Sequence, residues 1–167
     1  PYFDHNATHP LSAAARAAWL EAAARYPANP SSPHRLGMRS DAALQRAREQ
    51  LAAILDCSPL DIVWTSGATE ANNAVMHHLA EATSGEVWVS AIEHPCALAA
   101  ASHWVPARHR LIPVTREGVA DRDWISENLS ATRPAAVVVM AANNETGVLQ
   151  PWQDIRELCR SEGVPFI

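Results

Sequence analysis

Residues 135–140, AAVVVM, constrain the fold more than any other stretch of the chain. Neither side of their period-2 alternation is polar, so a strand made from them would be buried on both faces. Such a strand needs helices above and below its sheet, and the flanking sequence supplies them. Val87-Trp88-Val89 and Leu111-Ile112-Pro113-Val114 read as further short strands, with Pro113 marking an edge or a strand end. Ile62-Val63-Trp64 is another apolar run of the strand type, and Val164-Pro165-Phe166-Ile167 begins one more. Between them the spacing predicts helices over residues 13–25, capped by Ser12 and ended by Pro27, and over 40–55. In the second, Leu44, Ala47, Leu51, Ile54 and Leu55 share one face. Further helices are expected from Glu70 to Ala82, from Pro95 to Ser102, from Asp121 to Leu129, and from Pro151 or Trp152 to Ser161, with Gly163 stopping the last. Strands alternating with helices imply an α/β fold with a mostly parallel sheet. Ending on the opening of a strand, the 167 residues read as the front part of a longer protein. Residues 1–15 form an arm and turn, and 16–167 the domain proper.

Bulk properties remove several function classes. A net charge of -5 argues against a general nucleic-acid surface. No apolar run approaches the roughly 18 residues of a membrane span, and the first residues lack the basic-then-apolar order of a signal peptide. Cys57, Cys96 and Cys159 have no zinc-like spacing and suit a reducing cytoplasm. They read as small apolar fillers. All 13 basic residues are arginine, so nothing in these residues can form a lysine Schiff base.

In parallel sheets ligands sit beyond the carboxyl ends of the strands. Three polar clusters follow expected strands: Gly67-Ala68-Thr69, Glu93-His94, and Asn143-Asn144-Glu145. Neighbouring strands would bring all three to one mouth. The first cluster joins an apolar run to a helix start, where free N–H groups and the helix dipole favour a phosphate. His77-His78 lies in mid-helix and reads as packing and surface, without a metal site.

Five motifs in order resemble the cysteine desulfurases, pyridoxal-phosphate enzymes of the class V aminotransferase group. They are Tyr2-Phe3-Asp4-His5-Asn6-Ala7-Thr8, Asn29-Pro30-Ser31-Ser32 with His34, Thr65-Ser66-Gly67-Ala68-Thr69-Glu70, Glu93-His94, and Asn143-Asn144-Glu145-Thr146-Gly147. The resemblance implies the N-terminal part of a three-layer αβα cofactor-binding large domain. It also implies pyridoxal 5'-phosphate as cofactor, L-cysteine as substrate, alanine and an enzyme persulfide as products, and sulfur transfer toward iron–sulfur cluster assembly. Gly67, Ala68 and Thr69 would hold the cofactor phosphate, through the Ala68 and Thr69 N–H groups and the Thr69 hydroxyl. His94 would stack on the ring and act as acid and base, and Asn144 would bond the phenolic oxygen. Asn143 and Glu145 would shape the loop. The family's pyridinium-binding Asp, Schiff-base Lys, nucleophilic Cys and substrate-binding Arg match no residue here. A cytoplasmic homodimer with a sulfur-acceptor protein is implied likewise. Two alternatives stay open: another class V enzyme, such as a selenocysteine lyase or an aminotransferase, and a non-catalytic half-domain that only binds.

Overall fold

A computed structural model describes residues 1–2 and 4–167; Phe3, in the expected extended arm and the first motif, lies outside the described residues. The chain forms two compact units, Pro1–Trp64 and Thr65–Ile167.

In the first unit, α1 (Ala13–Arg25) starts at Ser12, whose hydroxyl accepts the Ala15 N–H at 3.1 Å. It buries none of its residues, and Trp19 is 69% exposed. Helix α2 (Arg35–Leu55) begins five residues before the expected position. The reason is its cap: His34 Nδ1 accepts the Gly37 N–H at 3.2 Å. Gly37 would ordinarily weaken a helix. Here a Cβ would stand 2.2 Å from the Ser32 carbonyl oxygen, so only glycine lets the 29–32 turn lie on the first helical turn. The expected apolar stripe of α2 is only partly covered: Leu44 and Leu51 are half-buried, whereas Ala47, Ile54 and Leu55 are exposed. A short 3-10 turn, Pro59–Asp61, follows, closed by a reciprocal Ser58–Asp61 capping box. Residues 62–64 form no strand, contrary to expectation. The run has no ladder partner among the described residues, and Val63 stays exposed. Apolar composition alone does not make a strand; a neighbouring backbone does.

The second unit is a three-layer α/β sandwich. Strands β1 (Val87–Ser90), β2 (His109–Ile112) and β3 (Ala136–Val138) lie parallel in the order β2-β1-β3. The register pairs Val87 with His109 and with Ala136. Beyond β3, Val137 bridges Phe166 in parallel, and Val139 N–H donates to the Ile167 carbonyl at 3.1 Å. The AVV run thus has backbone neighbours at both edges, and its two faces feed separate cores, as a doubly covered strand should. Pro113 follows edge strand β2, where its missing N–H costs no ladder bond.

Alternation along the strands feeds two cores. On one face Val87, Val89, Ala136 and Val138 pack with Met76 and Leu79 of α3 (Ala68–Ala82) and with Ala100 and Ala101 of α4 (Pro95–Trp104). On the other face Trp88, Val137 and Val139 pack with Ile125 and Leu129 of α5 (Arg122–Thr132). Ile155 and Cys159 of α6 (Trp152–Ser161) complete that core. Helix α4, after β1, covers one face, and α6, after β3, covers the other. The connections therefore diverge between β1 and β3, the place where open α/β sheets leave a crevice.

Candidate active site

Both strands flanking the crevice end in loops that are tied together. Burial raises the carboxyl pKa of Glu93, against the opposing Met140 N–H, which donates to Glu93 Oε1 at 2.5 Å, and the nearby His94. Asn143, 9% exposed, donates from Nδ2 to the Ile92 carbonyl at 3.0 Å. Its Oδ1 accepts the N–H groups of Glu145 and Thr146, both at 2.9 Å, and the Thr146 hydroxyl at 3.1 Å. Asn143 is therefore the knot of the 143–147 loop, and Gly147, with φ of +75°, makes the turn that a side chain would strain. This rigid loop presents Asn144, whose Nδ2 donates to Glu145 Oε1 at 3.1 Å.

The third wall is the start of α3, two residues earlier than expected. Gly67 occupies its N-cap position and no side chain caps the helix. The N–H groups of Ala68, Thr69 and Glu70 precede the first rung of the ladder, Ala71 N–H to the Gly67 carbonyl at 3.1 Å. Ser66 is committed elsewhere: its hydroxyl and its N–H donate to Glu70 Oε2 at 2.6 and 2.7 Å. Those two bonds, the hydroxyl's first, hold the Glu70 carboxyl below its ordinary pKa, so it is ionised at neutral pH. A Cβ on Gly67 would meet nothing within 4 Å, so the space above the turn is open.

These walls enclose a cavity of about 530 Å³, large enough for a cofactor-sized molecule. Gly67, Ala68, Thr69, His94 and Asn144 all line it, so the five residues expected to hold the cofactor meet in one place, whereas Glu93, Asn143 and Glu145 lie outside its lining. A second cavity of about 400 Å³, bordered by Glu93 and Ile167, shares Asn72 and Met140 with it. His94 also caps α4, its Nδ1 accepting the Cys96 N–H at 3.2 Å. A helix-start role and a place in the cavity are thus compatible.

Asn72, Cys96 and Met140 also line the cavity and escaped the sequence reading. Cys96 is no apolar filler: its Sγ lies 3.0 Å from His94 Nδ1 and accepts from Asn72 Nδ2 at 3.2 Å. Its spacing of two from His94, across a Pro95 helix start, was the available signal. Cys57 is exposed and is no filler either, whereas Cys159 is fully buried and its thiol is pushed up to about 11 by desolvation. Among the described residues no group of three or more His, Cys, Asp or Glu could hold a metal ion.

The family model described as "Aminotransferase class-V" matches residues 1–167. The chain belongs to the class-V aminotransferase family. Among curated relatives, the mitochondrial cysteine desulfurase of Arabidopsis thaliana is 35% identical over 174 residues, covering 99% of this chain and 38% of its own. Cysteine desulfurase IscS of Dechloromonas aromatica (strain RCB) is 33% identical, covering 99% and 42%. Among solved structures, SspA in complex with cysteine superposes with a TM-score of 0.86 at 27% identity, covering 99% of this class-V chain and 49% of that one. The chain therefore spans about two fifths of the length of the curated relatives it matches.

Proposed function

We propose that the complete protein is a pyridoxal-phosphate-dependent cysteine desulfurase, converting L-cysteine and an enzyme thiol to L-alanine and an enzyme persulfide. The observation that carries this reading is the convergence of the uncapped α3 turn, His94 and Asn144 on one cavity at the sheet's switch point. The class-V relatives named cysteine desulfurase, and the similar structure bound to cysteine, support the substrate.

The donor set fits the cofactor's phosphate and ring face. Unpartnered first-turn N–H groups, a threonine hydroxyl and a helix dipole suit a dianion. Ala68 and Thr69 would hold the phosphate there. His94 would lie against the ring, and Asn144 would turn its amide from Glu145 to the phenolic oxygen. When bound, the cofactor supplies an electron sink for bonds at the substrate α-carbon. The residues described here then orient the ring and move a proton. Nδ1 of His94 is an acceptor in the α4 cap, so the neutral imidazole carries its proton on Nε2, the nitrogen available to the cavity. No lysine stands among the 167 residues, so the covalent anchor belongs to none of them. Cys159, buried and held protonated, is unfit as the sulfur-accepting thiolate.

The same reading extends to a homodimer in the cytoplasm that hands sulfur to an acceptor protein for iron–sulfur assembly. It also divides the chain into an arm at 1–15 and a cofactor-binding portion from 16 onward. The described residues contain no helix long and apolar enough to cross a membrane. Product analysis tests the assignment: L-cysteine should yield alanine and persulfide sulfur in equal amounts. Amino transfer to a keto acid, or turnover of selenocysteine alone, would point to another class-V activity. Visible absorbance absent after adding the cofactor would reduce the protein to a binding module.

A further inference from the structure

We infer that the side chains of Cys96 and Asn72 are positioning residues for His94, reinforcing with a second donor to Nδ1 the tautomer that the α4 cap selects. Resting on the desulfurase reading only for its kinetic arm, this assigns roles to two cavity-lining side chains that act through His94.

The argument is an inventory of protons. Asn72, in the second turn of α3, has an amide nitrogen that can only donate, and it points at Cys96 Sγ from 3.2 Å. With a donor already on the sulfur, the thiol's own proton is free to turn to His94 Nδ1, 3.0 Å away. The backbone N–H of Cys96 donates to the same nitrogen from 3.2 Å. Nδ1 thus faces two donors, and the neutral ring must place its proton on Nε2.

The rival arrangement is an imidazolium–thiolate pair of the kind that activates catalytic cysteines. It would put a proton on Nδ1, directly opposing the Cys96 N–H that caps α4. One backbone donor therefore separates a positioning thiol from a nucleophilic one. The other ionisable groups around the ring do not compete. Glu93, beside it after β1, takes the Met140 N–H, and Glu70, on α3 in the same cavity, takes both donors of Ser66. Asn72 is itself held at the packed α3–α4 contact, where its neighbour Asn73 accepts the Trp104 indole N–H at 3.0 Å.

Nitrogen NMR of the complete protein labelled with [15N]histidine tests this without turnover, with His94 assigned by its loss in His94→Gln. At neutral pH Nδ1 should resonate as a pyridine-type nitrogen and Nε2 as a pyrrole-type one. Cys96→Ala should move the Nδ1 resonance toward that of an unbonded pyridine-type nitrogen, and Cys96→Ser, which keeps a donor, should return it. Kinetically, Cys96→Ala should lower kcat roughly three- to tenfold, the effect of one lost hydrogen bond, with KM for L-cysteine unchanged and Cys96→Ser recovering the rate. A protonated Nδ1 in the parent, or an Nδ1 resonance indifferent to Cys96→Ala, overturns the inference. The expected spectra without any alanine formation would uphold it and sink the desulfurase reading instead.

Discussion

Thr69 and Asn143 show two ways in which one side chain serves the cavity. Thr69 lines the cavity in the first turn of α3, and we propose that its hydroxyl joins the N–H groups there around the cofactor phosphate. Thr69→Ala should weaken pyridoxal-phosphate affinity roughly ten- to hundredfold, since a hydrogen bond to a charged group is worth about 1.5–3 kcal/mol. Titration of the visible absorbance of the complete protein measures this, and an unchanged affinity would remove Thr69 from the phosphate site. Asn143 acts by structure alone: its amide joins the 143–147 loop to the end of β1. Asn143→Ala leaves half-buried and exposed partners without their bonds and should cost about 1–2 kcal/mol of stability in denaturant titration, with a looser Asn144. At this scale the sequence was readable where a motif named a residue that lines the cavity, as for Thr69, His94 and Asn144. Cys96 was misread because its role depends on Asn72, 24 positions away and brought close only by helix packing.

Elements were legible where local chemistry decides them and illegible where a neighbour does. Ser12 announces α1, and the doubly apolar AVV run announces a buried strand. The start of α2 was missed because a histidine cap and a helical Gly37 look like loop until the 29–32 turn lies against them. Residues 62–64 were overread because strand formation needs a partner backbone that no apolar triplet encodes. The link between β1 and β3 carries its own pH signature. Burial raises the folded pKa of Glu93, so the folded state binds its proton more tightly than the unfolded chain. Its stabilising contribution is then complete below about pH 4.5 and is lost as pH rises through the raised folded value. Glu93→Gln keeps an acceptor for the Met140 N–H without the charge. Thermal melts of parent and variant should diverge in favour of Glu93→Gln as pH climbs from 4.5, and a difference flat in pH would contradict this.

At the scale of the molecule, a three-layer sandwich with its crevice between β1 and β3 makes a site from parts far apart in sequence. The same layering sorts the thiols. Cys57 is exposed, whereas Cys159 is sealed between α6 and the sheet. Iodoacetamide should label Cys57 in the native protein and Cys159 only after unfolding, as read by peptide mass; native labelling of Cys159 would mean that this core opens. The desulfurase chemistry we propose needs a lysine, and no lysine stands among the 167 residues. The central claim concerns the complete protein, and one measurement bears on it most directly: alanine and protein-bound sulfane sulfur quantified after adding L-cysteine to the cofactor-loaded enzyme. The account predicts one alanine for each sulfur transferred. Consumption of L-cysteine without alanine, or no consumption by enzyme whose absorbance shows bound cofactor, would contradict it.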